Sequence, residues 1–149
     1  MIDSSGKWWR GQNFSDLKEY LRRLCESDQR LDTIVRSLCS CGNVYFNLIF
    51  EANEGVAKRI CSACKKEQFI CDSGEYWDDV SSKTNQLKCI SCKNTEHMIA
   101  VGFELRPGWF RRDVRWITVG ALCKKCGILS SPLDWKIDWG PSHHLVRQA

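Results

Sequence analysis

CSCGNVYFNLIFEANEGVAKRICSAC, residues 39–64, is the stretch on which the fold turns. A close cysteine pair stands at each end, Cys39-Ser40-Cys41 and Cys61-Ser62-Ala63-Cys64. A short pair can set two thiolates on one side of a tight turn, which is half of a tetrahedral metal site. Between the pairs, Asn43 to Glu51 is a run of aromatic and aliphatic residues without a helix breaker. Ala52-Asn53-Glu54-Gly55 reads as a turn, and Val56 to Ile60 brings the chain back. The expected unit is a knuckle, a hairpin and a second knuckle, with a third strand from Glu67 to Cys71.

The chain then repeats itself. Cys89-Ile90-Ser91-Cys92 and Cys123-Lys124-Lys125-Cys126 enclose a longer hairpin, with arms Glu96 to Leu105 and Val114 to Leu122. Cys92-Lys93-Asn94 echoes Cys41-Gly42-Asn43, and Trp77 and Trp139 each lie 13 residues beyond a knuckle's last cysteine. We read an internal duplication, with the polar segment Asp72 to Lys88 as the connector. Two partitions of the eight ligands suit this spacing. The sequential one joins Cys39, Cys41, Cys61 and Cys64 in one site, and Cys89, Cys92, Cys123 and Cys126 in another. The interleaved one joins the inner pairs across 24 residues and gives up the duplication. The sequential set is the expectation.

On these motifs, residues 39–140 resemble two zinc ribbons in tandem, and the resemblance implies two structural zinc ions. It is specific about metal and silent about activity. The first pair departs from the usual pattern, because C-x-C replaces C-x-x-C.

Upstream, Leu17, Tyr20, Leu21, Leu24 and Cys25 recur at helical spacing, opposite Lys18, Glu19, Arg22, Arg23 and Glu26. An amphipathic helix starting at an N-cap Ser15 is expected, with Cys25 as a buried small hydrophobe. Leu31 to Leu38 fits a helix or a strand, and helix is the preferred reading. The expected class is α+β: an N-terminal helical segment (1–38), a first ribbon (39–80) and a second, longer ribbon with its tail (81–149).

Composition sets the outer bounds. A chain of 149 residues, 43% hydrophobic and 27% charged, is an ordinary globular one, and its net charge of +4 permits an anionic partner without requiring one. The first residues carry no basic-then-apolar leader, and no stretch has the length of a membrane helix. Cytoplasm and reduced thiols are therefore expected, and metal binding is favoured over disulfides.

Four thiolates close a zinc site, whereas a catalytic zinc keeps a position for water. HExxH, deaminase and phosphate-loop motifs are absent from the sequence. Cys71 reads as a core thiol, His97 as structural and His143-His144 as a tail. A non-enzymatic protein is expected, one that works through a surface. Seven tryptophans are a high share for this length. Trp77, Trp135 and Trp139 read as substitutes for a large core that also bridge the ribbons. Trp109 is different, because it sits in the loop Arg106-Pro107-Gly108-Trp109-Phe110-Arg111-Arg112, with Arg115 close behind. Arg106, Trp109, Phe110, Arg111, Arg112 and Arg115 are the candidate partner-binding residues. Exposed aromatic and arginine side chains anchor protein interfaces, and the same residues could hold single-stranded nucleic acid. A protein partner of the inhibitor, immunity-factor or adaptor kind is the first expectation, and nucleic acid the alternative.

Overall fold

The computed structural model describes residues 1–25, 31–106, 113–137 and 142–149. Helix α1 spans Phe14–Leu24 and strand β1 Thr33–Arg36. The first hairpin is β2 (Tyr45–Glu51) and β3 (Val56–Cys61), followed by β4 (Glu67–Phe69), helix α2 (Ser73–Val80) and the two-residue β5 (Asn85–Gln86). The second hairpin is β6 (His97–Leu105) and β7 (Val114–Cys123), followed by β8 (Leu129–Lys136). The class is α+β, as expected.

The strands form one antiparallel sheet in the order β4-β3-β2-β6-β7-β8, with β1 paired to β6 and β5 to β2. This order is a palindrome, and the register explains why. Asn43 and Asn94 are equivalent in the duplication, 51 positions apart, and that shift carries Phe46 onto His97. Phe46 and His97 are also direct partners across the β2–β6 junction. Antiparallel pairing of equivalent residues relates the halves by a local two-fold axis between these two side chains.

The leading strands obey the same symmetry with their partners exchanged. Ahead of the knuckles the shift is 50, from Cys39 to Cys89, because C-x-C is one residue shorter than C-x-x-C. Val35 pairs with Val101 and Arg36 with Ala100, while their counterparts Asn85 and Gln86 pair with Phe50 and Ile49. Ser37 N–H donates to Ile99 and, equivalently, Leu87 N–H to Leu48. Each half thus sends its first strand onto the other half's hairpin.

That exchange corrects the expected helix over Leu31 to Leu38. The segment's β-branched residues, Thr33, Ile34 and Val35, are extended because β6 offers an open edge, and a partner some 65 residues away overrides local ambiguity. The N-cap of α1 is Asn13 and not Ser15: Asn13 Oδ1 accepts the Asp16 amide at 3.0 Å. The Asp16 carboxylate accepts the Gln12 amide at 2.8 Å and pairs with the Met1 ammonium at 2.7 Å. The ammonium contact leads in holding the Asp16 carboxyl below its ordinary range. Part of the expected connector is also helical, as α2, and closes with the short 3-10 turn Ser81–Lys83.

Both faces of the sheet are covered. Leu17 and Leu21 of α1, with Cys25 at its C-cap, pack with Met98, Ala100, Leu122 and Leu129 on one face. Leu21 sits where a Cβ on Gly120 would come within 2.7 Å, so this glycine lets the helix approach the sheet. Phe46, Leu48, Ile99, Val101, Phe103, Ile117, Val119 and Leu133 fill the other face, with Cys71, Trp135 and Leu145. Trp135 ties the halves together by donating its indole N–H to Asp72 at 3.1 Å. Trp77 packs within its own half, 5.4 Å from Phe69. Trp139 lies outside the described residues.

Candidate metal centres

The eight paired cysteines gather into two groups, Cys39/Cys41/Cys61/Cys64 and Cys89/Cys92/Cys123/Cys126, with all Sγ atoms of a group within 4.8 Å of one another. The partition is sequential. Around zinc at about 2.3 Å, tetrahedral sulfurs lie about 3.8 Å apart. The closest pairs here are already near that spacing: Cys39–Cys64 at 3.5 Å, Cys41–Cys61 at 3.6 Å, Cys89–Cys126 at 3.3 Å and Cys92–Cys123 at 3.5 Å. Both groups fit a structural zinc ion, and together they form a duplicated zinc-ribbon-like arrangement.

One hydrogen-bond skeleton builds every knuckle. Cys39 N–H donates to Asn43 O at 3.0 Å, and Cys89 N–H to Asn94 O at 2.9 Å. Gly42 N–H returns to Cys39 O, as Lys93 N–H does to Cys89 O. In the second knuckle of each half, Lys65 N–H donates to Cys61 O and Gly127 N–H to Cys123 O, both at 3.0 Å. These turns require a left-handed residue, supplied by glycine in one half and lysine in the other. Gly42 (φ 93°) matches Lys93 (63°), and Lys65 (66°) matches Gly127 (80°).

Asn43 and Asn94 are functional residues that sequence reasoning passed over. Asn43 Nδ2 donates to Tyr45 O at 2.7 Å and to Cys61 Sγ at 3.3 Å. Asn94 Nδ2 repeats this with Glu96 O at 2.7 Å and Cys123 Sγ at 3.5 Å. Each amide aims a ligand sulfur and stabilises its thiolate. The echoed triplets Cys41-Gly42-Asn43 and Cys92-Lys93-Asn94 carried the signal.

The electrostatics follow the same symmetry. The Cys64 amide leads the donors that draw the Cys61 thiol down to about 5. At Cys123 burial opposes ionisation, but the Cys126 amide and Asn94 overcome it and hold the thiol near 6. Burial raises Cys126 to about 12, with neighbouring sulfurs adding to the rise. A bound divalent cation reverses such resistance, since it takes ligands as thiolates.

The sites differ in their surroundings. Cys41 and Cys64 are exposed, whereas Cys92 and Cys126 are half-buried. Arg59 lies 5% exposed beside the first cluster, with its guanidinium 4.5 Å from the Phe46 ring centre. Burial disfavours its charge, and the Cys39 and Cys61 sulfurs favour it. The second cluster is crossed by the N-terminal segment: Gly11 N–H donates to Gly127 O at 2.8 Å, and Arg10 bridges to Ile128.

Of the expected partner-binding residues, Trp109, Phe110, Arg111 and Arg112 lie outside the described residues. Arg106 is buried and donates to Ile137 O at 2.7 Å. Arg115 is exposed, 3.8 Å from the Glu104 carboxylate. Cys25 and Cys71 are both buried, and burial pushes the Cys71 thiol up. Among the described residues no helix is long and apolar enough to cross a membrane. Comparison with protein-family models, with curated proteins and with solved structures found no match.

Proposed function

We propose that this zinc-binding protein is a non-enzymatic recognition module whose partner is another protein, in the manner of a small inhibitor, immunity factor or adaptor. A closed four-sulfur site keeps no position for water, which supports a scaffolding role for the paired cysteines and a function carried by surfaces. The observation that carries the choice of a protein over nucleic acid is where the central basic residues go. Lys58 pairs with Glu67 at 2.7 Å and lies over Trp77, and Arg59 is buried against Phe46. Lys65 Nζ donates to Ser62 O at 3.0 Å. Lys58 and Arg59 thus serve the fold, and of this cluster Lys65 and Lys66 alone are exposed, which supports no continuous basic face for phosphates. The loop carrying Trp109, Phe110, Arg111 and Arg112, flanked by Arg115, remains a contact candidate under either reading.

The test has two arms. Affinity capture with the zinc-loaded chain should retain a specific protein that reconstitutes binding when purified. Titration with single- and double-stranded DNA and RNA across a salt series should show no saturable binding. Steeply salt-dependent nucleic-acid binding, abolished by Arg111→Ala with Arg112→Ala, would replace this reading with the nucleic-acid one.

A further inference from the structure

The apolar stripe of α1 does not end where the sheet ends. Leu17 and Leu21 are fully buried, but Leu24, one turn on, is 50% exposed. Trp8 is 40% exposed. Both line one groove of about 370 Å³, whose base includes Leu129. Other large apolar side chains are exposed too, Leu38 and Ile90 among them, but Trp8 and Leu24 meet at one concavity, and tryptophan is a side chain enriched at interface hot spots.

The groove is also rigidly built. On one wall, Trp9 O accepts the Leu129 amide at 2.8 Å, and Arg10 exchanges backbone bonds with Asp3 at 2.8 and 2.9 Å. The other wall is α1, where Tyr20 meets Trp9 edge-on with ring centres 6.2 Å apart. Docking here would order little that is not already ordered.

Charge states what kind of segment fits. The described acidic groups of residues 1–25 are engaged internally: Asp3 with Ser5, Asp16 with the Met1 ammonium, and Glu19 with Arg23. Lys7 and Arg23 rim the groove, and Arg22 is exposed on the same helix. Among the described residues neither Lys7 nor Arg22 forms an ion pair, so the surface has a positive surplus. The rings themselves are occupied. Lys7 Nζ lies 5.2 Å from the Trp8 ring centre, and the Arg23 guanidinium 5.7 Å from that of Trp9. A stacking nucleobase would have to displace those cations. A leucine or phenylalanine entering beside Leu24, with carboxylates on either side, would use the unpaired charge of Lys7 and share Arg23 with Glu19.

We propose that the groove between residues 7–9 and the C-terminal half of α1 is the docking site for an acidic protein segment that carries aliphatic or aromatic anchors. The inference rests on the protein-recognition reading and names residues other than those of the 106–116 stretch.

The test uses the zinc-loaded full chain and three synthetic probes: an amphipathic Glu/Leu peptide of about twelve residues, its Lys/Leu counterpart with the same leucines, and oligo-dT. The Glu/Leu peptide should shift the Trp8 and Trp9 indole NMR signals saturably. Lys7→Ala with Arg23→Ala, and separately Trp8→Ser with Leu24→Ser, should each weaken it about tenfold or more. Because Trp8 and Leu24 are exposed, the second variant should keep its zinc content and melting temperature, so weakened binding cannot be blamed on unfolding. Equal affinity for the Lys/Leu peptide overturns the proposal. So does oligo-dT binding at the same indoles, or the lack of a saturable shift at millimolar peptide. If a captured protein partner still binds the Trp8→Ser, Leu24→Ser variant, the groove fails while protein recognition stands. Failure of the parent chain to capture any protein defeats the broader reading.

Discussion

In the first ribbon two ligand cysteines, Cys41 and Cys64, face solvent, and a buried arginine stands beside the cluster. In the second ribbon their counterparts are half-buried, there is an alanine where Arg59 would fall, and the N-terminal segment crosses the knuckle. Yet the backbone bonds of the knuckles match one for one. A four-thiolate site fixes turn geometry and amide directions closely, so the skeleton is shared. How the cluster's excess negative charge is balanced is set less tightly, and the halves bring their cations by different routes: Arg59, buried within the sheet, in one, and in the other the covering segment, whose Arg10 guanidinium donates to Cys126 O at 3.3 Å.

The harshest way to break the comparison is to remove a ligand at the equivalent positions Cys61 and Cys123. A structural zinc is worth roughly 10–16 kcal/mol of apparent binding free energy, against about 5–15 kcal/mol for a whole domain. Cys61→Ser and Cys123→Ser should each lower the zinc count from two to one by native mass spectrometry. Each should also abolish the cooperative melt, since β1 and β5 carry damage across the sheet. Ordinary melts for both would sink the structural-zinc assignment.

Next comes an exchange of residues at one left-handed position. A Cβ on Gly127 would stand 2.6 Å from Gly11 O, and its φ is already 80°. Gly127→Lys should cost about 2–4 kcal/mol in denaturant unfolding, from backbone strain and displacement of the covering segment. The reciprocal Lys65→Gly, at an exposed position that no described segment crosses, should change stability by about 1 kcal/mol or less. Equal effects would mean that the N-terminal segment does not brace the second knuckle.

The asparagines allow a finer comparison. Asn43→Ala and Asn94→Ala should each cost about 1–3 kcal/mol and loosen zinc, measured by competition with a chromogenic chelator. The loss should be larger at Asn43, which also donates to Ser62 Oγ at 3.0 Å. A smaller loss at Asn43 would contradict the bonding.

Smallest is the pH dependence at the axis, where Phe46 faces His97. Burial leads in lowering the His97 pKa below its ordinary 6.5. Below pH 6.5 the unfolded chain takes up a proton that the folded chain refuses. Stability is therefore full above that pH and falls as pH drops towards the folded-state value. His97→Phe, which places the first half's residue in the second, should remove this part of the slope between pH 7.5 and 5.5. Coincident slopes in thermal melts would show that His97 is not buried neutral.

Much of this was legible in the sequence. The ligand sets, both hairpins, the α1 stripe and the duplication follow from cysteine spacing and side-chain periodicity, which are local signals. Two things were not. Strand β1 is one, because Ile34 and Val35 suit helix or strand alike and its partner is supplied from across the two-fold axis. Helix α2 was the other, because the segment Asp72 to Lys88 that contains it is polar and rich in Ser and Asp, and its short helix has no long apolar stripe to announce it. The groove was only half visible: Trp8-Trp9 and Leu24 stand out, but nothing local says that Leu129 brings them together.

The exchanged strands also have a consequence during synthesis. When residues 39–64 have left the ribosome, all four sulfurs of the first cluster are present, but the β6 edge that β1 will join is not. At a translation rate of about 5–20 residues per second, Arg36 waits for Ala100 on the order of several seconds. Through that interval β2 also exposes the edge that β5 and β6 later cover, a template for pairing with other nascent chains. Zinc captured early by Cys39, Cys41, Cys61 and Cys64 would lock the first hairpin as a half-built intermediate, held ready until its other half is translated.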